Sequence, residues 1–333
     1  MKRWVLVTGC DSGFGREVVV KILACRKEFF PGVFACYHRE GEHEESDSLV
    51  PIVVDITCDD SVASMAKIVG EVLKVRGGQL VAVVNNAGGL CVAGPIEWGT
   101  IEKDMDQMNL NFFGSVRVTR ALLPFLRATA LTCTPRLVFT SSLMGVVAAP
   151  FGASYAASKF ALEGWCDALR REMLSFGISV HLIEPGVFMG TKFYDQYESL
   201  VGEPVDGYGQ AFHKYAVQRL VRLRTFFASI NSRKSVSDTI IKALTSRWPK
   251  HRYRVGYDAK FVAWLFWWLP TSLSDLAITV CDALLLMDRK MTPVLPGTSR
   301  FTNGMAMVCF AMSSYMQTGL CAFVLILLYL VIV

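Results

Sequence analysis

The first twenty-five residues restrict the fold more than any other stretch of the chain. Lys2-Arg-Trp-Val-Leu-Val-Thr8 reads as a strand, Gly9-Cys-Asp-Ser-Gly13-Phe-Gly15 follows at once, and Arg16 to Cys25 is apolar at helical intervals. In this order of strand, tight turn and helix, Gly9 permits the turn, Gly13 lets backbone N–H groups approach a pyrophosphate at the helix N-terminus, and Gly15 lets helix pack closely on strand. The spacing Gly-x3-Gly-x-Gly is weak evidence alone, and a glycine turn without a ligand is the alternative.

Further strands alternate with helical patterns, which predicts an α/β, doubly wound parallel sheet of the Rossmann type in residues 1–255. Gly32 to Tyr37 ends where such a fold meets the adenosine ribose. His38 and Arg39 at its tip would attract the 2′-phosphate of NADP, whereas Asp11, with Glu40 and Glu42, would repel it. The balance favours NAD, with NADP left open. Leu49 to Val54 delivers Asp55, which either hydrogen-bonds adenine or caps the helix starting near Asp59. Gln79 to Val84 leads to Asn85-Asn-Ala-Gly88, where polar side chains would tie neighbouring strands beside a cofactor. Asn111 lies inside a long helical pattern, an unfavourable place for Asn, and invites a backbone or water-mediated role unless it is simply exposed. Gly177 to Ile183 is expected to close the sheet before Pro185.

Chemistry concentrates between Ser142 and Lys159. Arg136 to Thr140 reads as a strand ending at Ser141 and Ser142, and Tyr155 to Lys159 opens a helical segment. Residues four apart share a helix face, so Tyr155 and Lys159 point the same way. A phenol with a pKa near ~10 is a poor base at neutral pH, but a cation beside it favours the phenolate. Ser142 could then hold a substrate oxygen. A surface Tyr–Lys pair is the competing reading.

The 333 residues, 52% hydrophobic, suffice for a large core, and the N-terminus reads without a signal peptide. Residues 201–260 carry twelve Lys or Arg against four Asp or Glu, either a solvated face or one turned to anionic lipid. No nucleic-acid-binding module accompanies that charge. The ten cysteines are scattered without a CxxC pair, which predicts neither a metal site nor a disulfide framework.

Thr8-Gly-Cys-Asp-Ser-Gly-Phe-Gly15, Asn85-Asn-Ala-Gly88, Asn111, Ser142, Tyr155-x3-Lys159 and Pro185-Gly186 resemble, in order and spacing, the motifs of the short-chain dehydrogenase/reductase family over residues 1 to about 260. TGCDSGFG, Glu184-Pro-Gly-Val-Phe and His251 to Lys260 look most like its retinol, hydroxysteroid and 3-hydroxybutyrate dehydrogenase branch. The resemblance implies that Tyr155 is the general acid/base, with its phenolate favoured by Lys159 and the nicotinamide charge. Ser142 would orient the substrate oxygen, and Asn111 would hold the water through which Lys159 reaches a proton relay. It further implies Gly9, Ser12, Phe14 and Gly15 around the pyrophosphate, Asp55 and Ile56 at the adenine, and Asn85 and Ala87 on the ribose side. Lys159 would also contact the nicotinamide ribose, with Pro185, Gly186, Val187 and Thr191 bordering the nicotinamide. Pairing of two copies through the helices around Asn111 and Tyr155 is a further implication.

Residues 188–230 are rich in aromatics and read either as an oily substrate lid or as routine packing. Residues 256–300 form an extension with a nine-residue aromatic patch at Phe261 to Leu269, too short to span a bilayer. Beyond Arg300 no side chain is charged, and Gly319 to Val333 is almost wholly apolar, so 301–333 is expected to be a transmembrane tail anchor; about 20 residues suffice to cross. The catalytic body would face the cytosol, at the endoplasmic reticulum or alternatively the mitochondrial outer membrane. Together with the resemblance, which implies the reaction and the retinoid or steroid type, these features lead to the expectation of a membrane-anchored oxidoreductase acting on a lipophilic alcohol or carbonyl. The alternatives are a small hydroxy-acid dehydrogenase and a cofactor-binding scaffold without turnover.

Overall fold

The computed structural model describes residues 2–25, 29–41, 43–188, 231–232 and 234–286, the last eight of these by backbone alone. Seven parallel strands form one sheet: β1 (Arg3–Thr8), β2 (Gly32–Tyr37), β3 (Leu49–Val53), β4 (Gln79–Asn85), β5 (Arg136–Thr140), β6 (Ser179–Pro185) and β7 (Arg252–Val255), in spatial order β3-β2-β1-β4-β5-β6-β7. The helices are α1 (Gly13–Cys25), α2 (Asp59–Val75), α3 (Ile101–Met108), α4 (Gly114–Ala130), α5 (Ala153–Met173), α6 (Lys234–Thr245), α7 (Tyr257–Trp268) and α8 (Thr271–Leu286).

Alternate residues of a strand face opposite sides, and both sides are covered, which is why these strands read as continuous apolar runs. Trp4 and Leu6 of β1 belong to one core with Val62 and Met65 of α2, Leu122 of α4 and Leu162 of α5. Val5 and Val7 belong to the other, with Val18 and Ile22 of α1 and Ile240 of α6. The strand order reverses between β1 and β4, and ligands of such sheets bind outside the strand C-termini at that reversal. The glycine turn and Asn85 to Gly88 both emerge there.

Two expectations are corrected. Ser179–Pro185 does not close the sheet, because β7 pairs with it at Leu182↔Arg252 through Pro185↔Val255. Four residues with two arginines give no strand signal in the sequence; their charges are absorbed by carboxylates of α5 and β6. Asp55 does not cap α2: Cys58 occupies the N-cap position, while Asp55 Oδ1 accepts from the Thr57 N–H at 2.8 Å and hydroxyl at 2.7 Å.

Among the described residues no helix is long and apolar enough to cross a membrane. Thr191, all but the first residue of the expected lid, and the expected tail anchor at 301–333 lie outside the described residues.

Candidate active site

At the reversal point the strand ends are tied together by side chains. The Thr8 hydroxyl accepts from the Asn86 N–H at 3.0 Å and the Ala87 N–H at 2.9 Å. Asn86 Nδ2 donates to the Thr8 carbonyl at 3.1 Å, and its Oδ1 accepts from the Thr140 hydroxyl at 3.2 Å. Asn86 therefore links β1, β4 and β5, a role suited to the second amide of the pair. Asn85 instead turns into the interior, where Nδ2 donates to Thr119 of α4 at 3.1 Å and Oδ1 is buried without a hydrogen-bond partner among the described residues.

The glycine turn fits a pyrophosphate. Gly9 has φ +71, and a Cβ there would lie 2.8 Å from the Ala87 Cα; one on Gly15 would meet the Gly9 carbonyl. No acidic side chain occupies the first turn of α1, so its positive end is open to an anion. Asp11 bridges to the tip of β2, accepting from the N–H of His38 at 3.0 Å and of Arg39 at 3.1 Å. Burial works to raise its pKa, but those two donors, with its own N–H and the charge of His38, together outweigh it and hold the carboxyl below its usual range. The side chains of His38 and Arg39 stand exposed beside it. Ile56 is buried against Gly114, at the start of α4, rather than turned outward.

Tyr155 and Lys159 occupy the first two turns of α5, 9% and 5% exposed, which excludes the surface-pair reading. The Lys159 Nζ donates to the Thr140 carbonyl at 2.9 Å and lies 5.8 Å from the Tyr155 ring centre. Burial pushes Lys159 down to about 8, against the carboxylate of Glu163 and the thiol of Cys166, which favour the ammonium. Burial likewise pushes the Tyr155 phenol up to about 12, against a hydrogen bond with Ser142. Ser142 is placed for this by capping the short turn Leu143–Gly145, its hydroxyl accepting from the Met144 N–H at 3.1 Å. Ser142 and Tyr155 are thus joined, with the cation of Lys159 behind them.

Asn111 is 1% exposed and sits in a π-turn, Asn109–Phe113, between α3 and α4. Such turns recur at functional sites. Its Oδ1 accepts from the Gly89 N–H at 2.9 Å and its Nδ2 donates to the Ser158 hydroxyl at 3.0 Å. Gln107, one turn earlier and fully buried, holds the same loop by donating to the Gly89 carbonyl at 2.9 Å and accepting from the Cys91 N–H at 2.8 Å. Sequence reasoning missed Gln107; two amides at i and i+4 were the available signal.

It also missed Asp258. From the first turn of α7 this buried carboxylate accepts from the Val187 N–H at 2.7 Å and from Asn231 Nδ2 at 2.7 Å, while Asn231 Nδ2 also donates to the Val187 carbonyl at 2.9 Å. A Cβ on Gly186 would collide with it. The peptide after β6, where Pro185, Gly186 and Val187 were expected to border a nicotinamide, is therefore clamped by α7. Phe14 of the glycine turn meets Phe188 edge to face at 6.0 Å, which joins the two expected cofactor borders.

Comparison with known proteins agrees with this geometry. The family described as short chain dehydrogenase matches residues 3–199. The chain is 34% identical over 290 residues to bovine (Bos taurus) 17-beta-hydroxysteroid dehydrogenase type 6, covering 83% of this chain and 88% of that one. It is 33% identical over 290 residues to mouse (Mus musculus) retinol dehydrogenase 16, covering 82% and 86%. A crystal structure of a short-chain dehydrogenase from Streptomyces avermitilis is 26% identical, with a TM-score of 0.64 over 80% of this chain and 93% of the other.

Proposed function

Because the chain belongs to the short-chain dehydrogenase family, in its retinol and hydroxysteroid branch, and is an NAD(P)-dependent alcohol dehydrogenase/reductase, we propose that its substrate is a lipophilic alcohol or ketone of steroid or retinoid type. The observation that carries the reading is the buried Ser142–Tyr155–Lys159 constellation at the strand-reversal edge, in a chain similar to dehydrogenases named for hydroxysteroids and retinol.

The chemistry follows from the residues. Removing a hydride from an alcohol carbon leaves a proton on its oxygen. The Ser142 hydroxyl holds that oxygen, and the Tyr155 oxygen, hydrogen-bonded to the same hydroxyl, takes the proton. Burial favours the protonated form of Tyr155, so a positive charge is required beside it; the Lys159 ammonium supplies one. The nicotinamide, when bound, supplies the hydride acceptor or donor. In the reductive direction the same phenol returns the proton. General acid–base help of this kind is worth ~10²–10⁴-fold, and alignment of the reactants adds the rest.

The pyrophosphate belongs at Gly9, Ser12, Gly13, Phe14 and Gly15, the adenine near Asp55 and Ile56, and the ribose near Ala87. The nicotinamide belongs between Lys159 and the clamped peptide Pro185-Gly186-Val187, with Thr191 beyond. The Asp11 carboxylate, held by the N–H groups of His38 and Arg39 at the tip of β2, supports NAD over NADP, since it would repel a 2′-phosphate there. We further read the chain as membrane-bound at the endoplasmic reticulum with its catalytic body in the cytosol. The uncharged run 301–333 and the exposed Trp264, Trp267 and Trp268 of α7 support this. Exposed Phe113 and Phe160, on the helices around Asn111 and Tyr155, support pairing of two copies.

The test is cofactor reduction by detergent-solubilised protein, with NAD and NADP each offered all-trans-retinol, a 17β- and a 3α-hydroxysteroid, and 3-hydroxybutyrate. Turnover of a retinoid or steroid supports the reading. Turnover of 3-hydroxybutyrate alone, or of nothing while cofactor still binds, overturns it.

A further inference from the structure

One helical turn beyond Lys159 on the same face of α5, Glu163 is buried beneath the site, 5% exposed. Its Oε2 is reached by Arg252 of β7, through Nε and Nη2, each at 3.1 Å. That guanidinium is divided among three carboxylates. Its Nη2 also meets Asp167 at 3.0 Å, and its Nε meets Glu184 of β6 at 3.2 Å. Glu184, fully buried, has a second cation in Arg254 at 3.1 Å, and Asp167 a second in Arg170 at 3.5 Å. Glu163 has no second guanidinium among the described residues, and its Oε1 is buried beside the Ser141 hydroxyl. The cation next along α5 is Lys159, whose ammonium Glu163 stabilises more than any other group does.

We propose that Glu163 is a positioning residue of the active site: held by Arg252, its carboxylate sets the charge of Lys159 and thereby how readily Tyr155 gives up its proton. The coupling runs from β7 through Arg252 and Glu163 to Lys159 and Tyr155, so the edge strand acts on chemistry at the end of β5, two strands away in the sheet. Burial first, then the neighbouring Glu184, push Glu163 up to about 7, against Ser141 and Arg252. Its charge therefore changes near neutrality, one turn from an amine brought down to about 8. The groups facing it are Lys159, Cys166, Asp167 and Arg170 on α5, Ser141 after β5, Glu184 on β6, and Arg252 and Arg254 on β7. A network serving only to join β6, β7 and α5 would leave Lys159 indifferent to Glu163.

The inference draws on the alcohol-dehydrogenase reading for its kinetic arm only, so the experiment has a second arm without substrate. Competitive labelling of amines with a small acylating reagent, followed by mass spectrometry across neutral to alkaline pH, gives the midpoint at which Lys159 becomes reactive. In Glu163→Gln that midpoint falls by about one pH unit, and in Glu163→Asp it recovers most of the way. Turnover of whichever alcohol the wild type uses falls roughly tenfold near neutral pH in Glu163→Gln, with the alcohol KM little changed. Should Glu163→Gln not fold, Arg252→Lys, which loses the fork contact, reads the same coupling through a smaller downward shift. An unmoved Lys159 midpoint in a folded Glu163→Gln or Arg252→Lys variant overturns the proposal, whether or not an alcohol has been turned over. A wild type that turns over no alcohol refutes the functional reading and leaves the labelling result to decide this one.

Discussion

The side-chain amide of Asn111 donates to the hydroxyl of Ser158 at 3.0 Å, fastening the π-turn between α3 and α4 to α5 one residue before Lys159. The other end of the same side chain receives the Gly89 N–H. Asn111→Leu takes the acceptor from the part-buried Gly89 N–H and the donor from the buried Ser158 hydroxyl, which keeps its bond to the Tyr155 carbonyl, and losing such a partner costs about 1–3 kcal/mol. The expected result is a loss of about 2–4 kcal/mol in denaturant unfolding together with a fall in turnover. Unchanged unfolding would show that water replaces the amide without cost.

Asp258 joins α7 to the peptide after β6 through the Val187 N–H and Asn231. Asp258→Ala removes a carboxylate acceptor from the part-buried Val187 N–H and from Asn231 and should cost about 1.5–3 kcal/mol of stability. Because that peptide borders the proposed nicotinamide position, dissociation of NADH should strengthen in rate as well, read by fluorescence. Gly186→Ala, which drives a methyl into the same carboxylate, should reproduce the second effect.

His181 of β6 donates through Nδ1 to the Lys250 carbonyl at 2.7 Å, and its Nε2 lies 2.9 Å from the Ser179 hydroxyl, which also donates to the Pro135 carbonyl at 3.4 Å. Burial first, and then the charges of Arg136 and His251, push it down to about 4 against the Lys250 hydrogen bond. The unfolded chain then binds a proton between its ordinary value, 6.5, and about 4 that the folded chain refuses. Stability from this group is whole above the upper limit and falls as pH drops through that window. A His181→Gln variant should show a flatter stability profile between those limits in urea titrations repeated across pH.

Asp11→Asn keeps the size of the side chain and removes its charge from the tip of β2. The ratio of kcat/KM for NAD over that for NADP should fall roughly tenfold, since a like charge no longer faces a 2′-phosphate. An unaltered ratio would assign the choice of cofactor to His38 and Arg39.

Much of this was legible in the sequence because it depends on local pattern. The strand, glycine turn and helix at Thr8 to Cys25 are contiguous, and Tyr155 and Lys159 lie one turn apart on one helix. What was not legible depends on distant partners. Arg252 and Arg254 read as exposed charge until Glu163, Asp167 and Glu184 are placed beside them. Asp258 carries no signal of its own in the sequence, because its partner Val187 lies 71 residues away. As a helix cap Asp55 offered one local reading, and another local contact, with Thr57, is the one formed. Asn111 looked like a poor helix residue and is one: the helix gives way to a π-turn at that point.

The central claim is that the Tyr155 oxygen moves the proton while other residues bind the cofactor. Tyr155→Phe keeps the ring and removes that oxygen. The measurement is turnover of the best lipophilic alcohol beside NADH binding by fluorescence in the same preparation. The expected result is a ~10²–10⁴-fold loss of kcat with NADH affinity within about threefold of wild type. Turnover preserved in Tyr155→Phe would contradict it.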